Sequence, residues 1–122
     1  MMETKVLNNQ ATFAVRFPDG TMISESGKVR FETFKSVIRR IGMERVAAYA
    51  KISKRKRLKQ PYVNKSKNEI LENSGYTQEL VDGYYVVNKF SALNMARFLR
   101  DMSKELNLGL TIYNPCKTPL RD

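Results

Sequence analysis

Between Arg45 and Lys67 the chain carries nine basic residues and no acidic one. The densest part of this stretch, Lys51–Lys59, is too polar to hold a core position, because a buried charge needs a partner and the segment contains none. The core must therefore be built from apolar residues outside Lys51–Lys59, with that part left at the surface. The whole chain of 122 residues has 22 basic and 12 acidic residues. Outside the stretch the balance is 13 against 12, close to neutral. The excess is thus a local field, and a local positive field attracts a polyanion.

Length sets the scale of what surrounds that segment. A chain of this size is expected to form one domain with a core that needs no disulfide staples. Its 42% hydrophobic content and its 12 Phe and Tyr residues suit a globular fold rather than a disordered one. The organisation expected is a flexible N-terminus over 1–10, a single domain over 11–114 with an exposed basic loop at about 51–60, and a tail over 115–122. The lone Cys116 excludes a disulfide within the chain. No apolar run reaches the roughly 18 residues that span a bilayer, and the first residues lack the apolar stretch of a secretory signal. An intracellular, cytoplasmic protein without membrane insertion is the expectation.

Periodicity supplies the elements. Phe13, Val15 and Phe17 alternate with polar or small residues, and Pro18-Asp19-Gly20 is a turn signal before Thr21–Ser24. These predict an N-terminal β-hairpin. Phe31, Phe34, Val37, Ile38 and Ile41 recur at helical spacing, which predicts a helix over 29–41 capped by Gly42 in the left-handed conformation. Residues 44–50 predict a second helix that runs into the basic tract. The tract itself reads as an exposed loop, or as a helix end that orders on binding.

Pro61-Tyr62-Val63 predicts a short strand. Ser66, with Glu69 three residues later, predicts a capped short helix that stops near Gly75. Tyr84–Val87 predicts a strand, Ser91 an N-cap, and Met95, Phe98, Leu99, Met102 and Leu106 one helical stripe. Leu110–Tyr113 closes the pattern as a strand. Strand, helix, strand in this order predicts a C-terminal βαβ unit with parallel neighbours. The fold class is α+β: a small mixed β-sheet with an N-terminal β-hairpin, two or three packed helices and the βαβ unit.

The residue inventory removes several chemistries. The chain has no histidine, so it has no imidazole base and no imidazole metal ligand. One cysteine cannot build a structural zinc site. The six glycines are scattered, and no phosphate-cradling Gly-Lys-Ser or Gly-Lys-Thr run exists. Two carboxylate pairs share a helix face, Glu69 with Glu72 and Asp101 with Glu105, but Arg97 and Lys104 beside Asp101 make that face an ordinary solvated one. No cofactor, metal or catalytic residue is expected, and the chain does not read as an enzyme.

The basic tract carries the positive expectation. Lys51, Lys54, Arg55, Lys56, Arg57, Lys59, Lys65 and Lys67 are the candidate contacts to backbone phosphates. Such contacts release condensed counterions and fix position without reading sequence. Tyr62 is the expected exposed stacking face, ahead of Tyr49, Tyr76, Tyr84 and Tyr85. The function expected is a non-enzymatic nucleic-acid-binding module, for DNA or RNA. The alternative is an interaction or assembly component, of the kind encoded by a virus or mobile element, whose loop docks on an acidic protein. An edge strand such as 21–24 leaves a homo-oligomer open.

Overall fold

Ten elements follow one another in the computed structural model, which describes residues 13–24 and 30–113. They are β1 (Ala14–Arg16), β2 (Met22–Ile23), α1 (Arg30–Ile41), α2 (Met43–Ile52), β3 (Val63–Asn64), α3 (Glu69–Asn73), β4 (Gln78–Val81), β5 (Tyr84–Val87), α4 (Ala92–Leu106) and β6 (Thr111–Tyr113). The α+β class expected from the sequence is what these elements form. The expected flexible N-terminus (1–10) and the tail (115–122) with Cys116 lie outside the described residues. Among the described residues, no helix is long and apolar enough to cross a membrane.

The contacts gather into two compact units. One comprises residues up to Val37 together with those from Ser91 onward, and the other is Ile38–Phe90. Helix α1 passes from the first into the second.

The first unit contains the sheet β2-β1-β6. Its hairpin forms where Pro18-Asp19-Gly20 predicts it. Asp19 Oδ1 accepts from the Thr21 N–H at 2.9 Å, and the Phe17 N–H donates to the Thr21 carbonyl at 2.8 Å. Helix α4 starts at Ser91, whose Oγ accepts from the Asn94 N–H at 3.1 Å. It ends at Asn107, which takes the left-handed conformation (φ 60°) and stops the helix as a glycine would. Met95, Phe98, Leu99 and Met102 of the expected stripe are fully buried, and Phe98 meets Phe34 at 5.9 Å between ring centroids.

The second unit contains the sheet β3-β5-β4. The turn Asp82-Gly83, with positive φ at both residues, joins β4 to β5 as a two-residue hairpin. Arg39 pairs with Asp82 at 3.1 Å on this surface. Gly42 ends α1 with its N–H on the Ile38 carbonyl, and its own carbonyl accepts from Val46 to open α2. Its φ of 115° and ψ of 119° are positive-φ but not the left-handed helical cap expected. The α3 cap also differs from expectation. Asn68, not Ser66, is the N-cap, and its side chain accepts from the Leu71 N–H at 3.0 Å.

One expectation about pairing is overturned. Strand β5, helix α4 and strand β6 do follow in order, but β5 and β6 are not neighbours in one sheet. Both edges of β5 are taken, by β3 and by β4, so no ladder is left for β6. β6 pairs antiparallel with β1 instead, through Ala14↔Tyr113, Val15↔Ile112 and Arg16↔Thr111. The single mixed sheet is thus replaced by two antiparallel ones.

Phe98 tests the first core. Phe98→Ala removes a fully buried ring and its contact with Phe34, and is expected to cost about 3–5 kcal/mol. Urea unfolding should show a lower midpoint with an unchanged slope; an unchanged midpoint would place Phe98 outside the core.

Candidate nucleic-acid interface

The unit Ile38–Phe90 holds twelve basic and five acidic residues, a net +7 out of the chain's +10. All eight cations named from the sequence lie in it. The structure divides them into residues that hold the loop and residues that face outward.

Lys56 and Arg57 hold it. Helix α2 runs on to Ile52, and Ser53 caps it with its N–H on the Tyr49 carbonyl. Lys56 Nζ turns back to donate to the carbonyls of Lys51 (2.8 Å) and Ser53 (2.7 Å). A cation there satisfies open carbonyls and complements the negative end of the helix, worth about 0.3–1 kcal/mol. Ser53 Oγ accepts from the Arg55 N–H at 3.0 Å, which bends the chain away from the helix axis. The Arg57 guanidinium lies 5.4 Å from the centroid of the Tyr76 ring and donates to the Tyr62 phenol oxygen. Arg57 Nε is buried and has no hydrogen-bond partner among the described residues.

Arg57 and Gln60 then exchange two backbone hydrogen bonds, at 3.1 and 2.8 Å. Between them Leu58 (φ 53°) and Lys59 (φ 65°) both sit at positive φ, as in a type I′ turn. Two adjacent non-glycine residues rarely adopt this backbone, and each costs of order 1–2 kcal/mol. The turn persists because its base is braced. Gln60 Oε1 accepts from Asn68 Nδ2 at 2.7 Å, and the Asn68 N–H donates to Gln78 Oε1 at 2.9 Å. Gln78 Nε2 donates to the Asn68 carbonyl at 2.8 Å and to Glu72 Oε2 at 3.1 Å. Hydrogen bonds within the chain therefore hold the base of the loop.

Lys51, Lys54, Lys59, Lys65 and Lys67 face solvent, and among the described residues none of them makes a salt bridge. Arg55 is half-buried. Tyr62 corrects the sequence expectation. It is 3% exposed and stacked on Phe90 at 4.3 Å between centroids, so it offers no face to a base. Burial pushes its phenol above the ordinary value of about 10, while Arg57 and Arg55 pull the other way.

Besides Tyr76, which lies under Arg57, the half-exposed Tyr84 also meets a cation. Register pairs Asn64 with Tyr85, so the next step places Lys65 opposite Tyr84, and Lys65 Nζ lies 5.0 Å from that ring's centroid. An exposed contact of this kind is worth about 0.5–1 kcal/mol. Tyr84 and Tyr85 are both half-exposed. Beside Tyr84 lies a groove of about 270 Å³, lined by Glu44, Ala47, Ala48 and Lys51 of α2 and by Asn64, Lys65 and Tyr84. It brings together two of the expected basic residues and an aromatic ring. Period-2 reading could have found Tyr84, since it follows a two-residue turn at the strand end, where a side chain is least covered.

The carboxylate pairs considered from the sequence are engaged otherwise. Glu72 accepts from Gln78, and Asp101 meets Arg100 at 3.2 Å. Among the described residues no group of three or more His, Cys, Asp or Glu side chains is placed to hold a metal ion.

Two results test this loop. Replacing Leu58-Lys59 with Asn-Gly should relieve the positive-φ strain and raise stability by about 1 kcal/mol, seen as a higher urea midpoint; a lower midpoint would contradict the turn. The folded protein keeps Tyr62 protonated to a higher pH than the unfolded chain, so this contribution is intact below about pH 10 and is lost as pH rises beyond it. Wild type should therefore lose stability relative to Tyr62→Phe above about pH 10, measured by urea midpoints across that range. Compared with protein families, with curated proteins and with solved structures, the chain matches none.

Proposed function

We propose that this chain is a non-enzymatic nucleic-acid-binding module that grips backbone phosphates through a prearranged basic surface. The observation that carries the reading is the division among the cations. Lys56 and Arg57 are occupied in holding the loop, and Lys51, Lys54, Lys59, Lys65 and Lys67 are left facing solvent. Five uncompensated ammonium groups on a braced scaffold repel one another unless an anion joins them. A lysine is a point charge with three donors, suited to phosphate oxygens and poor at reading base edges. Hydrogen bonds within the chain brace the loop, so binding would have less of the entropy of ordering it to supply.

The same surface has a second feature, which favours the alternative partner. Ile52 is 65% exposed and Leu58 49% exposed, and phosphates have no use for either. An acidic protein surface with an apolar centre would use both, as interfaces bury apolar anchors within a polar rim.

Fluorescence anisotropy with labelled single- and double-stranded DNA and RNA over a salt series tests the reading. Five lysine contacts predict a log–log slope of about −4, a loss of two to three decades between about 50 and 200 mM salt. The variant Lys54→Ser/Lys59→Ser/Lys67→Ser leaves Lys56 and Arg57 in place, so it should stay folded while its slope falls by about 2 to 3. Absence of binding to all four at low salt would sink the proposal. Binding that persists unchanged in the triple variant would place the contacts elsewhere.

A further inference from the structure

We infer that the groove between α2 and the ends of β3 and β5 takes one unstacked base of a single-stranded nucleic acid, with Tyr84 as its stacking face. The inference rests on the nucleic-acid reading above and adds a substrate class to it.

The groove follows from spacing on α2. Glu44, Ala47, Ala48 and Lys51 stand at i, i+3, i+4 and i+7, so they share one helix face. The two central positions are alanines, and their short side chains leave the wall low. The space left is about 270 Å³, just under the usual range for a drug-sized ligand and suited to a single ring system. A duplex keeps its bases paired and stacked, so none enters such a space without being turned out of the helix. A single strand presents its bases freely.

Charge sets the direction of entry. Glu44 and Lys51 are seven residues apart on α2, which separates them by about 10 Å. Glu44 repels phosphate at one end, and Lys51 and Lys65 attract it at the other. The strand's backbone therefore passes on the lysine side and the base turns inward. Tyr84 waits there with Lys65 Nζ 5.0 Å from its ring centroid. Replacing that exposed cation contact with a base gives the ring the stronger partner and frees the ammonium for a phosphate. Every base has a π-face, so the site accepts any sequence.

The test uses the full chain and two labelled strands of about 12 nucleotides, within the site size of such modules. One is an intact single strand, DNA or RNA, whichever binds more tightly. The other is an abasic strand of the same length, which carries the phosphates without the bases. Wild type should bind the intact strand about tenfold or more tightly than the abasic one. Tyr84→Leu should abolish that ratio with abasic binding unchanged, and Tyr84→Phe should keep it. Ala48→Leu, at an exposed helix position that leaves Tyr84 untouched, should abolish it too by filling the groove. Equal binding of the two strands by wild type, or a ratio that survives in Tyr84→Leu and Ala48→Leu, overturns the groove as a base site while leaving phosphate binding intact. Failure of wild type to bind either strand overturns this inference, and the underlying reading falls with it only where duplex DNA and RNA fail to bind as well.

Discussion

Like charges crowded into one short segment repel, and a loop made of them keeps one shape only if other bonds hold it. Here, besides Lys56 and Arg57, the holding is done by neutral amides and one carboxylate. Glu72, Gln78, Asn68 and Gln60 form a continuous hydrogen-bonded chain from α3 and β4 to the base of the turn. Each such bond contributes about 1 kcal/mol net, while exposed lysines separated by more than about 8 Å are largely screened in physiological salt. Several bonds of that size outweigh the residual repulsion and the strain at Leu58 and Lys59. The charges can then stand outward on a fixed frame.

This arrangement gives neighbouring cations unlike tasks. Lys56 closes the end of α2, and Arg57 lies over Tyr76 against the Tyr62 phenol. Neither is free to be spent on a ligand. Lys54 and Lys59, one on each side of them, make no such contact and face outward. A variant that removed Lys54 to Arg57 together would therefore confuse loss of phosphate contacts with loss of the loop. The proposed binding by this surface and the stability of the loop are separable only through the lysines that hold nothing.

Much of the fold is legible in the sequence wherever a local rule decides the outcome. Pro18-Asp19-Gly20 fixes the first hairpin, Ser91 caps α4, and the Met95–Met102 stripe faces a core. What local pattern cannot carry is the choice of partner. β6 has the alternation of a strand, but whether it joins β5 or β1 depends on which edges other strands have already filled. β4 escapes the pattern because Gln78 and Glu79 are polar, and only the Asp82-Gly83 turn after it signals a hairpin. The site divides in the same way. Its location is read directly from the charge run. The burial of Tyr62 against Phe90, and the half-exposure of Tyr84 beside Lys65, depend on packing between residues 28 and 19 positions apart. The exposed-loop reading locates the charge but gives no hint that Lys56 and Arg57 are struts.

The most direct measurement is backbone ¹⁵N relaxation of the free protein across residues 54–60. A braced loop predicts order parameters near 0.85 there, equal to those of the helices. Values below about 0.6 would mean that the basic segment moves freely until something binds it, and the prearranged surface on which this account depends would not exist.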